Sequence, residues 1–117
     1  MIDRIRERCW RCFRPGRLCL CADLPTVPTR TSVRILQHPK ERRHAFGTAR
    51  LLGLMLPNAK IHVAGRGFSG GLSVRFPVPD GAVLLYPHRN AVDLRQIRER
   101  PSAIVAIDGT WSQANRL

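Results

Sequence analysis

The chain has 117 residues, a net charge of +12 and a pI of about 11.5. This length allows one modest domain, and a hydrophobic content of 44% is enough for a core. No apolar run reaches the roughly 18 residues needed to span a bilayer. The first eight residues lack the hydrophobic stretch of a signal peptide. The sequence therefore excludes an integral membrane protein and predicts a soluble, cytoplasmic one.

The basic residues are almost all arginines, 18 of the 20. The guanidinium fork suits phosphates and base edges better than the lysine ammonium does, and a small domain this basic most often binds nucleic acid. A genome rich in arginine codons is the alternative explanation. Residues 1–50 carry a net charge of +8 and residues 51–117 a net charge of +4. The first half is thus the expected polyanion-binding surface.

Four cysteines lie within thirteen residues, in the pattern C-x2-C-x6-C-x-C: Cys9, Cys12, Cys19 and Cys21. Four thiolates can close a tetrahedral zinc site. Two disulfides are the competing interpretation, which a cytoplasmic location disfavours. Because four protein ligands leave no open position for water or substrate, the expected zinc is structural. Residues 1–24 are predicted to form a zinc knuckle, and its arginines (4, 6, 8, 11, 14 and 17) make it a candidate RNA-docking surface.

The rest of the chain alternates between strand and helix patterns after a linker at residues 25–31, where Pro25 and Pro28 block regular structure. Such alternation predicts an α/β domain with a mostly parallel sheet over residues 32–117. The strands are expected at 32–37, 60–64, 82–86 and 103–107, and the helices at 44–56 and 93–100. The Gly-rich stretch 65–71 is not a phosphate-binding loop, because no helix pattern follows it and the Walker lysine is absent.

Several polar side chains are expected at one edge of this sheet. Asp108 follows the apolar strand 103–107, His38 and Glu41 follow the first strand, and Tyr86 ends the third. Parallel strands end at the same edge, where open α/β sheets bind their ligands. Each residue also has a structural interpretation: His38 can cap the strand, Glu41 can pair with a nearby arginine, and Asp108 or Thr110 can cap a helix.

Four motifs occur in order along the chain: Gln37-His38-Pro39-Lys40-Glu41, Gly47-Thr48-Ala49-Arg50-Leu51, Leu85-Tyr86-Pro87 and Asp108-Gly109-Thr110-Trp111. Together with the cysteines, they resemble the signatures of the DTW-domain family from about Cys9 to Leu117. Members of that family are tRNA-uridine aminocarboxypropyltransferases. They move the 3-amino-3-carboxypropyl group of S-adenosylmethionine to N3 of a tRNA uridine. The resemblance implies an α/β fold related to the SPOUT methyltransferases.

The resemblance also implies roles for individual residues. Asp108 is the expected general base, with His38 and Glu41 orienting the methionine amine or the uracil. The S-adenosylmethionine pocket is expected to involve Leu85, Tyr86, Pro87, Thr110 and Trp111. The chain departs from the family pattern in two places. Gly47 stands where asparagine is usual, and the chain stops six residues after Trp111, whereas members continue further, so it is expected to be a shortened version of a longer domain.

Two other functions fit the same features. One is a non-catalytic zinc-knuckle RNA-binding protein, and the other is an inactive, truncated relative that still binds tRNA. The sequence leaves open which tRNA and which uridine are used, and a monomer is the expected oligomeric state.

Overall fold

A computed structural model describes residues 7–44, 46–66, 72–73 and 75–109 of the chain. The main sheet has four parallel strands in the order β2-β1-β6-β5, and a separate antiparallel pair joins β3 to β4. The elements in chain order are β1 (Ser32–Gln37), α1 (Thr48–Met55), β2 (Ala59–Val63), β3 (Gly65–Arg66), β4 (Leu72–Ser73), β5 (Val83–Leu85) and β6 (Ala103–Asp108).

The two central strands, β1 and β6, carry the core of the sheet. Ile35 is 2% exposed and Ala103 is fully buried, and Val105 and Leu36 are also buried. A strand buried on both faces is expected to be a nearly continuous apolar run, which describes 103–107 well. The α/β class with a parallel sheet is therefore confirmed, and β1 has the bounds that the sequence predicts.

The first helix is shorter than predicted: α1 begins at Thr48 rather than at residue 44. The segment before it is occupied by tighter turns, because the Nδ1 atom of His44 accepts a hydrogen bond from the backbone N–H of Phe46. The helical spacing predicts one apolar face made of Phe46, Ala49, Leu52 and Met55 or Leu56. Of these, Ala49 is buried as predicted, whereas Phe46 and Leu52 are exposed. The helix lies close to β2, because a Cβ placed on Gly53 would be 3.2 Å from Cδ1 of Ile61.

The second predicted helix, at 93–100, is only a 3-10 turn over Leu94–Gln96. The carboxylate of Asp93 accepts the backbone N–H of Arg95 and pairs with its guanidinium at 2.8 Å. Leu94 is exposed, so the segment buries no apolar face. Most of the stability of a short helix comes from such packing, and its absence explains the single turn.

The predicted linker has no helix or strand but is tied to the end of α1 and to the segments that precede β2 and β6. The N–H of Val27 donates to the carbonyl of Met55 at 2.8 Å, and the Asn58 amide donates to the carbonyl of Thr29 at 3.2 Å. Thr31 Oγ1 donates to the carbonyl of Pro101 at 3.2 Å. The division into knuckle, linker and α/β domain stays a prediction. Within the described residues, no helix is long and apolar enough to cross a bilayer.

Gly47 occupies the N-cap of α1 with extended backbone angles, and no side chain caps the helix there. We expect Gly47→Asn to raise the stability of the chain by a few tenths of a kcal/mol, about 1–2 °C in Tm, because the amide oxygen can accept a free N–H of the first turn. A Cβ at this position would meet only ordinary contacts, the nearest atom being the His44 carbonyl oxygen at 3.4 Å.

Thermal unfolding followed by circular dichroism measures the effect. Gly47→Ala is the matched control, because alanine is a poorer N-cap than glycine and should lower Tm. Equal shifts for the two variants would contradict the capping argument.

Candidate active site

The carboxyl ends of the parallel strands bring the predicted site residues to one edge of the sheet. Gln37 is paired in register with Asp108, the last residue of β6. His38 follows directly on β1, and Tyr86 follows directly on β5, whose Leu85 pairs with Ala106. The placement expected for His38, Tyr86 and Asp108 is thus found, while their chemical roles remain predictions.

The carboxylate of Asp108 is held by a neighbour on the adjacent strand. Gln37 Nε2 donates to Asp108 Oδ2 at 2.9 Å, and the backbone N–H of His38 donates to the Asp108 carbonyl at 3.0 Å. Gln37 is only 5% exposed. A buried amide that donates to one carboxylate oxygen fixes the orientation of the other. Sequence reasoning missed Gln37; the signal was an amide at the last position of an otherwise apolar strand.

His38 is 6% exposed and caps the turn that follows β1. Its Nδ1 atom accepts the backbone N–H of Lys40 at 3.1 Å, so in the neutral ring the proton lies on Nε2. The structural role foreseen for His38 is therefore present. Because the cap uses Nδ1, the Nε2–H is the group of this ring that can donate to a ligand.

Glu41 is half-buried and ends the 3-10 turn Pro39–Glu41. Its backbone N–H donates to the carbonyl of His38 at 2.9 Å. Among the described residues the ion pair found is Asp93–Arg95, so Glu41 has no ionic partner within that part of the chain.

The predicted pocket residues are divided between described and undescribed parts of the chain. Leu85 is 49% exposed, Tyr86 is half-buried and Pro87 is exposed. Thr110 and Trp111 lie outside the described residues. The structure thus locates three of the five residues at the edge that carries Asp108.

The four cysteine sulfurs form one compact cluster, all within 4.8 Å of one another. The Sγ atoms of Cys9 and Cys21 are 3.7 Å apart, and those of Cys12 and Cys19 are 3.8 Å apart. A tetrahedron with zinc–sulfur bonds of about 2.3 Å has edges of about 3.8 Å. The donor set and its spacing therefore fit a zinc ion with four protein ligands.

The cluster holds thiols of unequal acidity. The backbone N–H groups of Cys12 and then of Arg11 lower the pKa of Cys9 to about 6. Burial, followed by the neighbouring thiols, raises the pKa of Cys21 to about 12. Four adjacent thiolates repel one another unless a cation compensates them, which is the chemistry of a structural zinc site.

Arg50 of α1 attaches the cysteine-bearing segment to the α/β domain. Its guanidinium donates to the carbonyls of Trp10, at 2.9 Å, and of Arg11. The same group lies 3.4 Å from the ring centroid of Phe13, a cation–π contact. Sequence reasoning missed this role, because a contact between residues about forty positions apart leaves no local pattern.

These features define a small α/β protein in which a four-cysteine knuckle is joined to α1 beside a parallel sheet. The family model for the DTW domain matches residues 6–117. The chain belongs to the DTW domain family, as the ordered motifs predict.

Curated relatives carry informative names. The chain is 39% identical over 119 residues to tRNA-uridine aminocarboxypropyltransferase 2 of Mus musculus. The match covers 93% of the chain and 40% of the mouse protein. The Drosophila melanogaster protein of the same name is 36% identical over 96% of the chain and 48% of its own length. The Arabidopsis thaliana tRNA-uridine aminocarboxypropyltransferase A is 30% identical, over 96% of the chain and 50% of its own length. The chain thus spans about half the length of these relatives. No solved structure gave a significant match.

Replacing one cysteine tests the metal site. We expect Cys9→Ser to lower the zinc content from one ion per chain to near zero and to loosen the knuckle, because zinc binding free energy stabilises such small folds. Metal analysis of the purified protein measures the first effect and hydrogen exchange of residues 9–21 measures the second. Leu18→Ala, an exposed change on the same segment, is the control. Unchanged zinc in Cys9→Ser would rule out a four-thiolate site.

Removing the Arg50 guanidinium tests how the knuckle is attached. We expect Arg50→Ala to weaken that attachment by about 1–2 kcal/mol, because the variant lacks two charge-assisted hydrogen bonds and a cation–π interaction. NMR relaxation should then show knuckle amides moving independently of the sheet while zinc stays bound. Arg42→Ala, a change at an exposed arginine nearby, should leave relaxation unaltered. Identical relaxation in both variants would show that Arg50 does not hold the knuckle.

Proposed function

We propose that the protein is a tRNA-uridine aminocarboxypropyltransferase that uses S-adenosylmethionine. The observation that carries the proposal is the match of nearly the whole chain, 93% at 39% identity, to a relative of that name. The carboxylate of Asp108, held by a buried amide at the ligand-binding edge of a parallel sheet, gives the proposal a chemical basis.

The reaction joins uridine N3 to the γ-carbon of the methionine part of the co-substrate. The N3–H proton is lost, the N3–carbon bond forms, and the bond from that carbon to the sulfonium sulfur breaks. The electron pair of the broken bond stays on sulfur, and 5′-methylthioadenosine leaves. Since uridine N3 is a poor nucleophile while protonated, a base close to it is the main chemical requirement.

Asp108 is the residue we assign as that base. Gln37 occupies Oδ2 of the carboxylate, which leaves Oδ1 to accept the N3 proton. The Nε2–H of His38 donates to the uracil or to the methionine carboxylate, and Glu41 pairs with the methionine amine. Leu85, Tyr86 and Pro87 line the adenosine pocket, with Thr110 and Trp111 completing it. Their task is to place the γ-carbon, rather than the methyl group, in line with N3.

The cysteine knuckle serves the tRNA in this proposal. Structural zinc holds the loop that carries Arg8, Arg11, Arg14 and Arg17, which bind tRNA phosphates and make the affinity fall with salt. The target uridine has to leave its stacked position to reach Asp108. A cytoplasmic location fits this role.

The test is mass spectrometry of bulk tRNA incubated with the zinc-loaded chain and S-adenosylmethionine. We expect aminocarboxypropyl-uridine and an equal amount of 5′-methylthioadenosine. Binding of S-adenosylmethionine without RNA, measured by calorimetry, separates an enzyme from an RNA-binding protein that lacks catalysis. Failure of both measurements in a folded sample, with both restored in a chain extended to the length of the relatives, would assign the activity to the longer domain only.

Asp108→Asn tests the base directly. Asparagine keeps the shape of the side chain and an oxygen for the Gln37 amide, but it cannot take the proton. We expect transfer to fall at least a hundredfold while tRNA affinity is unchanged. Asp80→Asn is the matched control, because Asp80 is exposed and precedes β5 at the opposite edge of the sheet. Loss of tRNA binding in Asp108→Asn would mark Asp108 as structural instead.

A further inference from the structure

Trp10 is the most exposed large hydrophobic side chain of the described residues, at 79%. Tryptophan is highly buried on average, so an exposed indole calls for an explanation. The flanking contacts hold the backbone of Trp10 in place, since its carbonyl accepts a hydrogen bond from Arg50 at 2.9 Å. The indole is thus presented on an anchored segment rather than on a free tail.

Two grooves meet at Trp10. The first, about 240 Å³, is lined by Arg8, Cys9, Trp10, Phe13 and Arg43. The second, about 300 Å³, lies between the knuckle and the α1–β2 layer, with Trp10, Arg11 and Arg50 among its lining residues. Both are at or below the low end of pockets for drug-sized ligands, about 300 Å³. Their size suits single flat rings rather than a large compound.

Apart from the thiol of Cys9, the ionisable side chains that line the two grooves are all arginines. No acidic residue lines either groove in the part of the chain that the structure describes. Arg50 is occupied by two carbonyls and the Phe13 ring, and one nitrogen of Arg8, Nη1, donates to the carbonyl of Arg43. The side chains of Arg11 and Arg43 are exposed, so they can reach anionic groups beside a ring on Trp10.

We propose that Trp10 is a stacking platform for an unpaired nucleotide of the tRNA, whose flanking phosphates bind Arg11 and Arg43. An aromatic ring among arginines is the usual means of holding single-stranded RNA, because the ring takes the base and the guanidinium groups take the backbone. The partner follows from charge complementarity with a chain of net charge +12. The choice of tRNA as the source of that nucleotide rests on the proposed function.

The position of Arg43 connects this platform to the candidate active site. Arg43 lies two residues after Glu41, on the segment that leaves β1 at the carboxyl edge of the sheet. Arg43 thus joins the platform to the segment that also carries Glu41, while Ala59 at the start of β2 lines the second groove. The platform would keep one unpaired region of the tRNA bound while another presents its uridine.

The test measures, by fluorescence anisotropy, the binding of the zinc-loaded chain to an end-labelled single-stranded oligouridylate of eight nucleotides and to labelled bulk tRNA. Trp10→Leu keeps apolar bulk but removes the aromatic face, and Trp10→Phe restores such a face. We expect about tenfold weaker binding for Trp10→Leu, nearly wild-type binding for Trp10→Phe, and no change for Leu18→Ala on the same knuckle. Since Trp10 is largely exposed, the zinc content should be equal in all four proteins.

Salt dependence separates stacking from charge. Trp10→Leu should leave the slope of log K against log salt unchanged, whereas Arg43→Ala should reduce it by about 0.7 for each phosphate that Arg43 neutralises. Equal affinity of Trp10→Leu and the wild-type chain for both RNAs would overturn the proposal, as would an equally weak Trp10→Phe. Neither measurement needs S-adenosylmethionine, so a failed transferase assay with a confirmed Trp10 effect would remove only the proposed activity.

Discussion

The parallel pairing of β1 with β6 is the constraint on which the rest of the structure depends. It joins Ser32 to Ala103 and Gln37 to Asp108 in an unbroken register of six residue pairs. Buried side chains of both strands, among them Ile35, Ala103 and Val105, pack along this register. The same register places a side-chain amide against a carboxylate at the end of the ladder. Core packing and site geometry are therefore a single property of these two strands.

The knuckle shows a second way of fixing geometry in a small chain. Its four cysteine sulfurs lie within 4.8 Å of one another between the loops. One helix residue, Arg50, holds the loops to the sheet layer through two carbonyls and the Phe13 ring. A guanidinium can do this because its donors form a rigid fork and its flat face also stacks. Some of the many arginines are thus structural, and the net charge overstates the number of side chains available to RNA.

The sequence predicted most strongly those features that depend on local pattern. The run of β-branched residues before Asp108 and the bounds of β1 follow directly from apolar periodicity. The predicted helices at 44–56 and 93–100 are longer than the observed ones. The side chains of His44 and Asp93 close tight turns that compete with helix formation. The contacts of Gln37 with Asp108 and of Arg50 with the knuckle join residues 71 and about 40 positions apart. No local signal in a single sequence reports which residues such long-range contacts pair.

The burial of Gln37 bears on the choice between an enzyme and a non-catalytic RNA-binding protein. A buried amide needs hydrogen-bond partners that an apolar residue at the end of β1 would not need, and Asp108 supplies one of them. Docking RNA through the knuckle makes no use of a carboxylate oriented at the far end of β6. A reaction that removes a proton at that edge does make use of such a carboxylate, because it requires a base in one fixed orientation. A buried polar pair that orients a carboxylate at a ligand-binding edge is the arrangement such a reaction needs, and it supports the transferase proposal on grounds independent of the relatives' names.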